Sequence, residues 1–214
     1  GTADAWQHAV PAFNTLAVQC IASPDAALFP RVPGLADALF QSDGTMTKQE
    51  IRAATLAKLM PMRGALLWDI GCGSGSVAIE WMRAARYARA IGIEPRADRR
   101  AMAGANAMAL GAPKLELVDG MVPDALGGLP APDAIFIGGG LSRPTFDAAW
   151  AALRPLGRLV ANAVTLESEA ELMALHAEFG GELVRISVCR AEPVGRLTGW
   201  RPSMPVTQWS LVKR

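Results

Sequence analysis

The sequence predicts an α/β fold built on a Rossmann-like, mostly parallel sheet of seven strands, and three observations lead there. Short apolar runs alternate along the chain with stretches whose apolar residues recur at helical spacing. One such run, Leu66-Leu67-Trp68-Asp69-Ile70, ends in an acid and passes through Gly71-Cys72-Gly73-Ser74-Gly75 straight into the apolar start of a helix, Val77-Ala78-Ile79. The last two strand-like runs are separated mainly by irregular sequence instead of a helix, which predicts that the sheet closes with an antiparallel strand.

The first 42 residues do not read as the start of that domain. Leu16-Ala17-Val18-Gln19-Cys20-Ile21 is an isolated strand-like run, and Pro24, Pro30, Pro33 and Gly34 interrupt any regular element after it. The expectation is a remnant strand of a preceding domain and a linker over 1–42, with the domain proper spanning 43–214. Thr47-Lys48-Gln49-Glu50 has the form of a capping box, and Ile51, Ala54, Leu56, Leu59 and Met60 then supply a helical stripe up to Pro61. Strands are predicted at 65–70, 90–94, 114–118, 134–137 and 158–163, each a short apolar run. Helices at 77–85, 97–110, 145–153 and 167–179 carry the longer periodic patterns. The second of these stops at Gly111 and the last at Gly180-Gly181. Strands at 183–189 and 206–212 complete the sheet.

Composition narrows the function classes. With 21 Lys and Arg against 20 Asp and Glu the net charge is +1, and the basic residues form no long run; a nucleic-acid partner is not expected. No apolar stretch has the length of a membrane span, so the expectation is a soluble, cytoplasmic protein without a membrane partner. Cys20, Cys72 and Cys189 form no Cys-x-x-Cys pair and the chain has two histidines, a set that predicts neither a disulfide framework nor a metal site.

The phase of the glycines identifies the ligand class. A dinucleotide turn takes Gly-x-Gly-x-x-Gly, which here requires glycine at position 76; that position is Ser76, and the third glycine falls at Gly75. Asp69, two residues before Gly71, also puts a negative charge where a diphosphate would lie. S-adenosylmethionine carries no phosphate but a sulfonium and an ammonium, both favoured by a nearby carboxylate. The predicted cofactor is therefore S-adenosylmethionine, with S-adenosylhomocysteine as product. Glu94 ends the next strand at the offset of about 20 residues at which a carboxylate accepts hydrogen bonds from both ribose hydroxyls. Cys72, with no histidine near it in sequence, reads as a small neutral loop residue and not a nucleophile.

Three stretches make the reading more specific. Gly44-Thr45-Met46-Thr47-Lys48-Gln49-Glu50-Ile51-Arg52, the glycine turn with its flanks from Trp68 to Glu80, and Asp133-Ala134-Ile135-Phe136-Ile137-Gly138-Gly139-Gly140 together resemble the precorrin methyltransferases of cobalamin synthesis. The resemblance covers residues 43–214 and is to the decarboxylating type that methylates carbon 15. It implies a class I methyltransferase fold, and a role as the C-terminal module of a fused C5,15-methyltransferase whose N-terminal, C5-methylating half is absent here. It also implies a homotetramer. Carried over by position, it puts Thr47 beside the cofactor, Gly71, Cys72, Gly73, Ser74 and Gly75 around its methionine part, and Glu94 on its ribose. Asp119-Gly120-Met121-Val122 passes over the adenine. Related sequences often have an acid where this chain has Met121, so the adenine amino group falls to Asp119 or to a backbone carbonyl, and Met121 is either an adenine contact or a filler.

A precorrin substrate bears many carboxylates, which calls for separate arginines, each able to hold one carboxylate through two hydrogen bonds. The candidates are Arg52 on the first helix, Arg143 after the fourth strand, and Arg190, Arg196 and Arg201 in the stretch before the last strand; for each the alternative is an ordinary surface arginine. Gly138, Gly139 and Gly140 suit the close approach of a flat substrate or form a flexible turn. Thr165 and Glu167 border the same crevice, Glu167 being equally readable as a first-turn acid. Glu80 holds the cofactor ammonium, orients an arginine or is a solvated helix charge. No side chain stands out as a catalytic base, and a meso carbon of a reduced tetrapyrrole, being enamine-like, does not demand one. A carboxyl methyltransferase acting on small molecules or proteins, and a nucleoside-binding module without activity of its own, are the competing readings.

Overall fold

A computed structural model describes residues 2–26 and 28–214; Gly1 and Ala27, both within the expected leading segment, lie outside the described residues. After that segment come α1 (Gln49–Leu59), β1 (Leu66–Ile70), α2 (Ser76–Ala84), β2 (Arg89–Ile93), α3 (Ala97–Ala109), β3 (Glu116–Val118) and β4 (Ala134–Ile137). The chain continues through α4 (Arg143–Ala152), β5 (Arg158–Ala163), α5 (Leu166–Phe179), β6 (Glu182–Ile186), β7 (Cys189–Val194), β8 (Leu197–Pro202) and β9 (Val206–Val212). Seven strands form one sheet in the order β3-β2-β1-β4-β5-β9-β6. The first five run parallel, and β9 lies antiparallel between β5 and β6.

Alternation along β1 sorts its side chains to two layers. Leu66, Trp68 and Ile70 join the core packed under Phe146 of α4 and Leu172 of α5, with Trp209 of β9 filling its centre. Leu67 faces the other way, into a core with Leu56 of α1 and Val77 and Trp81 of α2. Asp69 shares the parity of Leu67, so an acid buried to 1% exposure points at the start of α2. Strand order reverses between β2-β1 and β4, so the helices following β1 and β4 pack in different layers and a crevice opens at the carboxyl ends of the strands.

Three expectations fail. Leu16–Ile21 forms no strand: Leu16, Val18 and Ile21 are exposed, and an apolar run without a neighbouring strand to complete its hydrogen-bond ladder has nothing to fold against. The capping box is not made; Lys48 takes the N-cap position of α1 with no side-chain capping bond, because Glu50 is drawn outward to Arg190 at 2.5 Å. The run at 183–189 breaks after Ile186, and the sequence expected to be irregular is the separate hairpin β7–β8, closed at Gly195-Arg196. Pro193 and Pro202 lie within these strands; in a two-stranded ribbon every strand is an edge and tolerates proline.

Candidate active site

The crevice opens into a cavity of about 640 Å³ walled by the segment Gly44–Ile51, the β1 turn, the ends of β2, β4 and β5, the Gly120–Val122 segment after β3, Arg99 of α3, and the hairpin side with Val188, Arg190, Ser203 and Met204. The β1 turn is held by the neighbouring strand, since the amides of Gly71 and Cys72 both donate to the Ile93 carbonyl, at 2.9 and 3.2 Å. At Gly71 the backbone has φ +70° and an added Cβ would lie 2.9 Å from the backbone of Gly139, so the turns after β1 and β4 are packed against each other there. Gly92 is needed for a different reason: a Cβ on it would meet the Cys72 sulfur at 2.8 Å. Burial pushes the Cys72 thiol up, away from ionisation, and the nearby acids Asp69 and Glu94 push it the same way. Cys72 is a neutral packing residue.

Two carboxylates form the floor. Glu94 is 3% exposed; its Oε2 accepts from the Gly73 amide at 3.0 Å and its Oε1 from the Arg96 amide at 3.1 Å. Asp69 Oδ2 accepts from the Ala78 amide at 2.9 Å, which leaves Oδ1 buried without a partner. Desolvation raises the Asp69 carboxyl from 3.8 to about 7, against the stabilising Ala78 bond and with a further push from Glu94. The Ser74 hydroxyl is a second buried polar group without a partner. Orphaned polar atoms beside an acidic floor leave bonds for a ligand to complete, and they fit one that brings positive charge and donors. The ammonium and sulfonium of S-adenosylmethionine have that character. Above the floor, Gly138, Gly139 and Gly140 present exposed backbone with no side chain in the way.

A family model described as the precorrin methyltransferase domain matches residues 38–213. The chain belongs to the precorrin methyltransferase domain family. It is 53% identical over 201 residues to a precorrin-6Y C(5,15)-methyltransferase [decarboxylating] of Sinorhizobium sp., covering 94% of this chain and 49% of that one. A probable cobalt-precorrin-6B C(15)-methyltransferase (decarboxylating) of Pyrobaculum calidifontis is 35% identical over 181 residues, covering 81% and 93%. Among solved structures, the C-terminal domain of precorrin-6Y C5,15-methyltransferase from Rhodobacter capsulatus superposes with a TM-score of 0.81 at 51% identity, over 86% of this chain and all of that one. The chain thus spans about half the length of the fused curated relatives it matches.

Within this precorrin methyltransferase domain the cavity gathers many of the residues singled out from sequence: Thr47, Asp69, Gly71, Cys72, Gly73, Ser74, Glu94, Gly120, Met121, Val122, Gly138, Gly139, Gly140 and Arg190 line it. Others stand elsewhere. Gly75 packs its backbone against Ala103 of α3, and Asp119 is turned outward to Arg100 at 2.8 Å. Arg52 is wholly buried, bonded to Glu80 at 2.6 Å, to Asp37 at 3.2 Å, to the Thr47 carbonyl at 2.6 Å and to the Leu35 carbonyl, and it does not line the cavity. Of the three readings open to Glu80, orienting an arginine is the one the structure has, and at 2% exposure it is no solvated charge. Arg143 is spent on Asp147 and Glu178 on the outer face of α4, with Phe179 under its guanidinium. Thr165 caps α5 through the Ser168 amide, and Glu167 is an exposed first-turn acid. Arg196 sits in the turn of the hairpin and Arg201 pairs with Glu192 on it at 3.2 Å, both outside the cavity.

Sequence reasoning missed Lys48, Arg99, Asn162 and the residues around Met204, all of which line the cavity. Asn162 had a legible signal, its place at the end of β5; its amide is fixed by Thr55 and Gln208, each at 3.0 Å. Arg99, in the first turn of α3, had none, because its inward turn depends on the distant Asp43, which it meets at 2.7 Å.

Proposed function

We propose that this chain transfers the methyl group of S-adenosylmethionine to carbon 15 of a precorrin-6B-type tetrapyrrole and removes the carboxyl of the ring C acetate, a step of cobalamin synthesis. One observation carries the reading. The chain matches only half of relatives named for methylation at two positions, but 93% of a relative named for carbon 15 and decarboxylation alone. The broad, side-chain-free platform of Gly138–140 agrees with a flat substrate and speaks against the narrow pocket of a carboxyl methyltransferase.

When bound, S-adenosylmethionine supplies an electrophilic methyl on sulfur. Asp69 and Glu94 would balance its positive charge, with the Ser74 hydroxyl completing polar contacts and the backbone of Gly71 and Gly73 allowing close approach. Gly138 to Gly140 would let the macrocycle lie against the mouth with its meso carbon toward the methyl, so catalysis rests on positioning. Phe136, Val122, Val164 and Val206 line the cavity with apolar surface and would strip water from the acetate. That favours loss of carbon dioxide as the electron pair of the broken bond returns to the methylated macrocycle. Arg190 would hold a peripheral carboxylate.

The same proposal includes a homotetramer, supported by Val194, Leu197 and Trp200, which stand exposed on the hairpin. It includes a cytoplasmic site, supported by three cysteines that are all free; among the described residues no helix is long and apolar enough to cross a membrane. The fused N-terminal half that methylates carbon 5 in longer relatives belongs to the proposal as well. The test is incubation of this chain with methyl-labelled S-adenosylmethionine and precorrin-6B. Label uptake with stoichiometric carbon dioxide is expected; uptake without carbon dioxide assigns decarboxylation to another protein, and no uptake sinks the reading.

A further inference from the structure

The charges around the cavity do not cancel evenly. The floor is acidic, with Asp69 and Glu94 buried and, among the described residues, neither paired to a side-chain cation. This suits a cationic cofactor but repels a substrate covered in carboxylates, so the substrate's attraction must come from the rim. Three cations line the cavity: Lys48, Arg99 and Arg190. Arg99 is committed to Asp43 through two N–H groups, at 2.9 and 2.7 Å. Arg190 is shared between Glu50 at 2.5 Å and Asp37 at 3.5 Å. Lys48 is exposed and makes no ion pair or side-chain hydrogen bond among the described residues.

The lysine nevertheless stands on a fixed base. Its carbonyl accepts the first helical bond of α1 from the Arg52 amide at 2.8 Å, and the preceding carbonyl, of Thr47, is held by the Arg52 guanidinium, itself buried against Glu80. A side chain whose root is pinned to the core and whose ammonium is free at the mouth loses less on binding than one on a loose loop.

We propose that Lys48 is a substrate-binding residue, holding a peripheral acetate or propionate carboxylate of the tetrapyrrole at the rim opposite the acidic floor. The inference rests on the function proposed above and adds to it the one rim cation that makes no ion pair among the described residues. Arg190 contributes a second contact once the substrate competes with Glu50 for it, whereas Lys48 needs no displacement.

The experiment compares wild type with Lys48→Met and Lys48→Arg, using precorrin-6B for turnover, calorimetry for S-adenosylmethionine, and a titration with uroporphyrin as an unreactive tetrapyrrole polycarboxylate. Lys48→Met is expected to raise KM for precorrin-6B about tenfold, the factor a single hydrogen bond to a charged group supplies, and to weaken uroporphyrin binding similarly. It should leave kcat within about twofold, leave cofactor affinity unchanged and flatten the salt dependence of KM. Lys48→Arg restores most of the loss. An unchanged KM and uroporphyrin affinity in Lys48→Met overturns the assignment, as does a loss confined to cofactor affinity, which would put the ammonium on the cofactor instead. If wild type leaves precorrin-6B unmethylated, the functional reading falls, and the uroporphyrin titration still decides the role of the lysine.

Discussion

On the β1–β2 side of the cavity the two buried acids are tied to backbone: Asp69 to the Ala78 amide, Glu94 to the amides of Gly73 and Arg96. On the hairpin side Arg190 is tied to other side chains, Glu50 and Asp37. The first wall follows from the parallel sheet itself and persists wherever β1 and β2 pair. The second is an arrangement of partly exposed ions that salt screens and that a competing carboxylate can rearrange. A rigid wall suits a cofactor that never varies, and an adaptable one suits a bulky, many-armed substrate.

Substitutions can break or sharpen that contrast. The largest effect is expected where an ionic contact is fully buried. Arg52→Ala would strand Glu80 and the Thr47 and Leu35 carbonyls, at a cost of about 3–5 kcal/mol in urea unfolding; a loss below 1 kcal/mol would mean that the segment leading into α1 is held by something else. Gly71→Ala comes next. The added methyl meets the Gly139 backbone at an unfavourable φ, and calorimetry should find cofactor affinity reduced about a hundredfold, the equivalent of roughly 3 kcal/mol of strain and displacement.

Asp69→Asn tests the rigid wall by titration. In the unfolded chain this carboxyl ionises near 3.8 and in the folded protein near 7. Between those values the folded state holds the extra proton, so Asp69 favours folding below about pH 4 and that contribution is lost as pH rises through 7. The asparagine variant removes the titration. Its melting temperature should exceed that of wild type by a few degrees at pH 8 and match it at pH 4. Wild-type affinity for the cationic cofactor should rise about tenfold from pH 6 to pH 8 as the carboxylate forms, and the variant should show a flat profile. The smallest effect is expected at Arg196, exposed in the hairpin turn: Arg196→Ala should move stability by less than about 0.5 kcal/mol and KM by less than twofold.

What the sequence disclosed follows the same division. The turn after β1, the acid ending β2 and the parallel order were legible because period, glycine phase and strand-end position are local signals. The arginines were not. Whether Arg52 reaches a substrate or a buried glutamate depends on Glu80, on the next helix, and on the carbonyl of Leu35, in the segment before α1, and no local pattern carries that information. Arg143 looked like a loop residue and became the first residue of α4, where Asp147 one turn on and Glu178 on α5 consume its charge. Lys48 was obscured by its position inside a capping motif that the fold does not use.

Ile186 and Val206 face each other across the last rung of β6 and β9, so everything from 187 to 205, hairpin included, leaves and rejoins the sheet at one point. An excursion anchored in this way can grow or shrink without disturbing the strands beneath, because doubling its length costs only about 0.6 kcal/mol in closure entropy. That arm can therefore be exchanged for another while the turns after β1 and β2 stay as they are, and a foreign arm grafted between the two anchors is the economical route to reshaping one wall of the cavity.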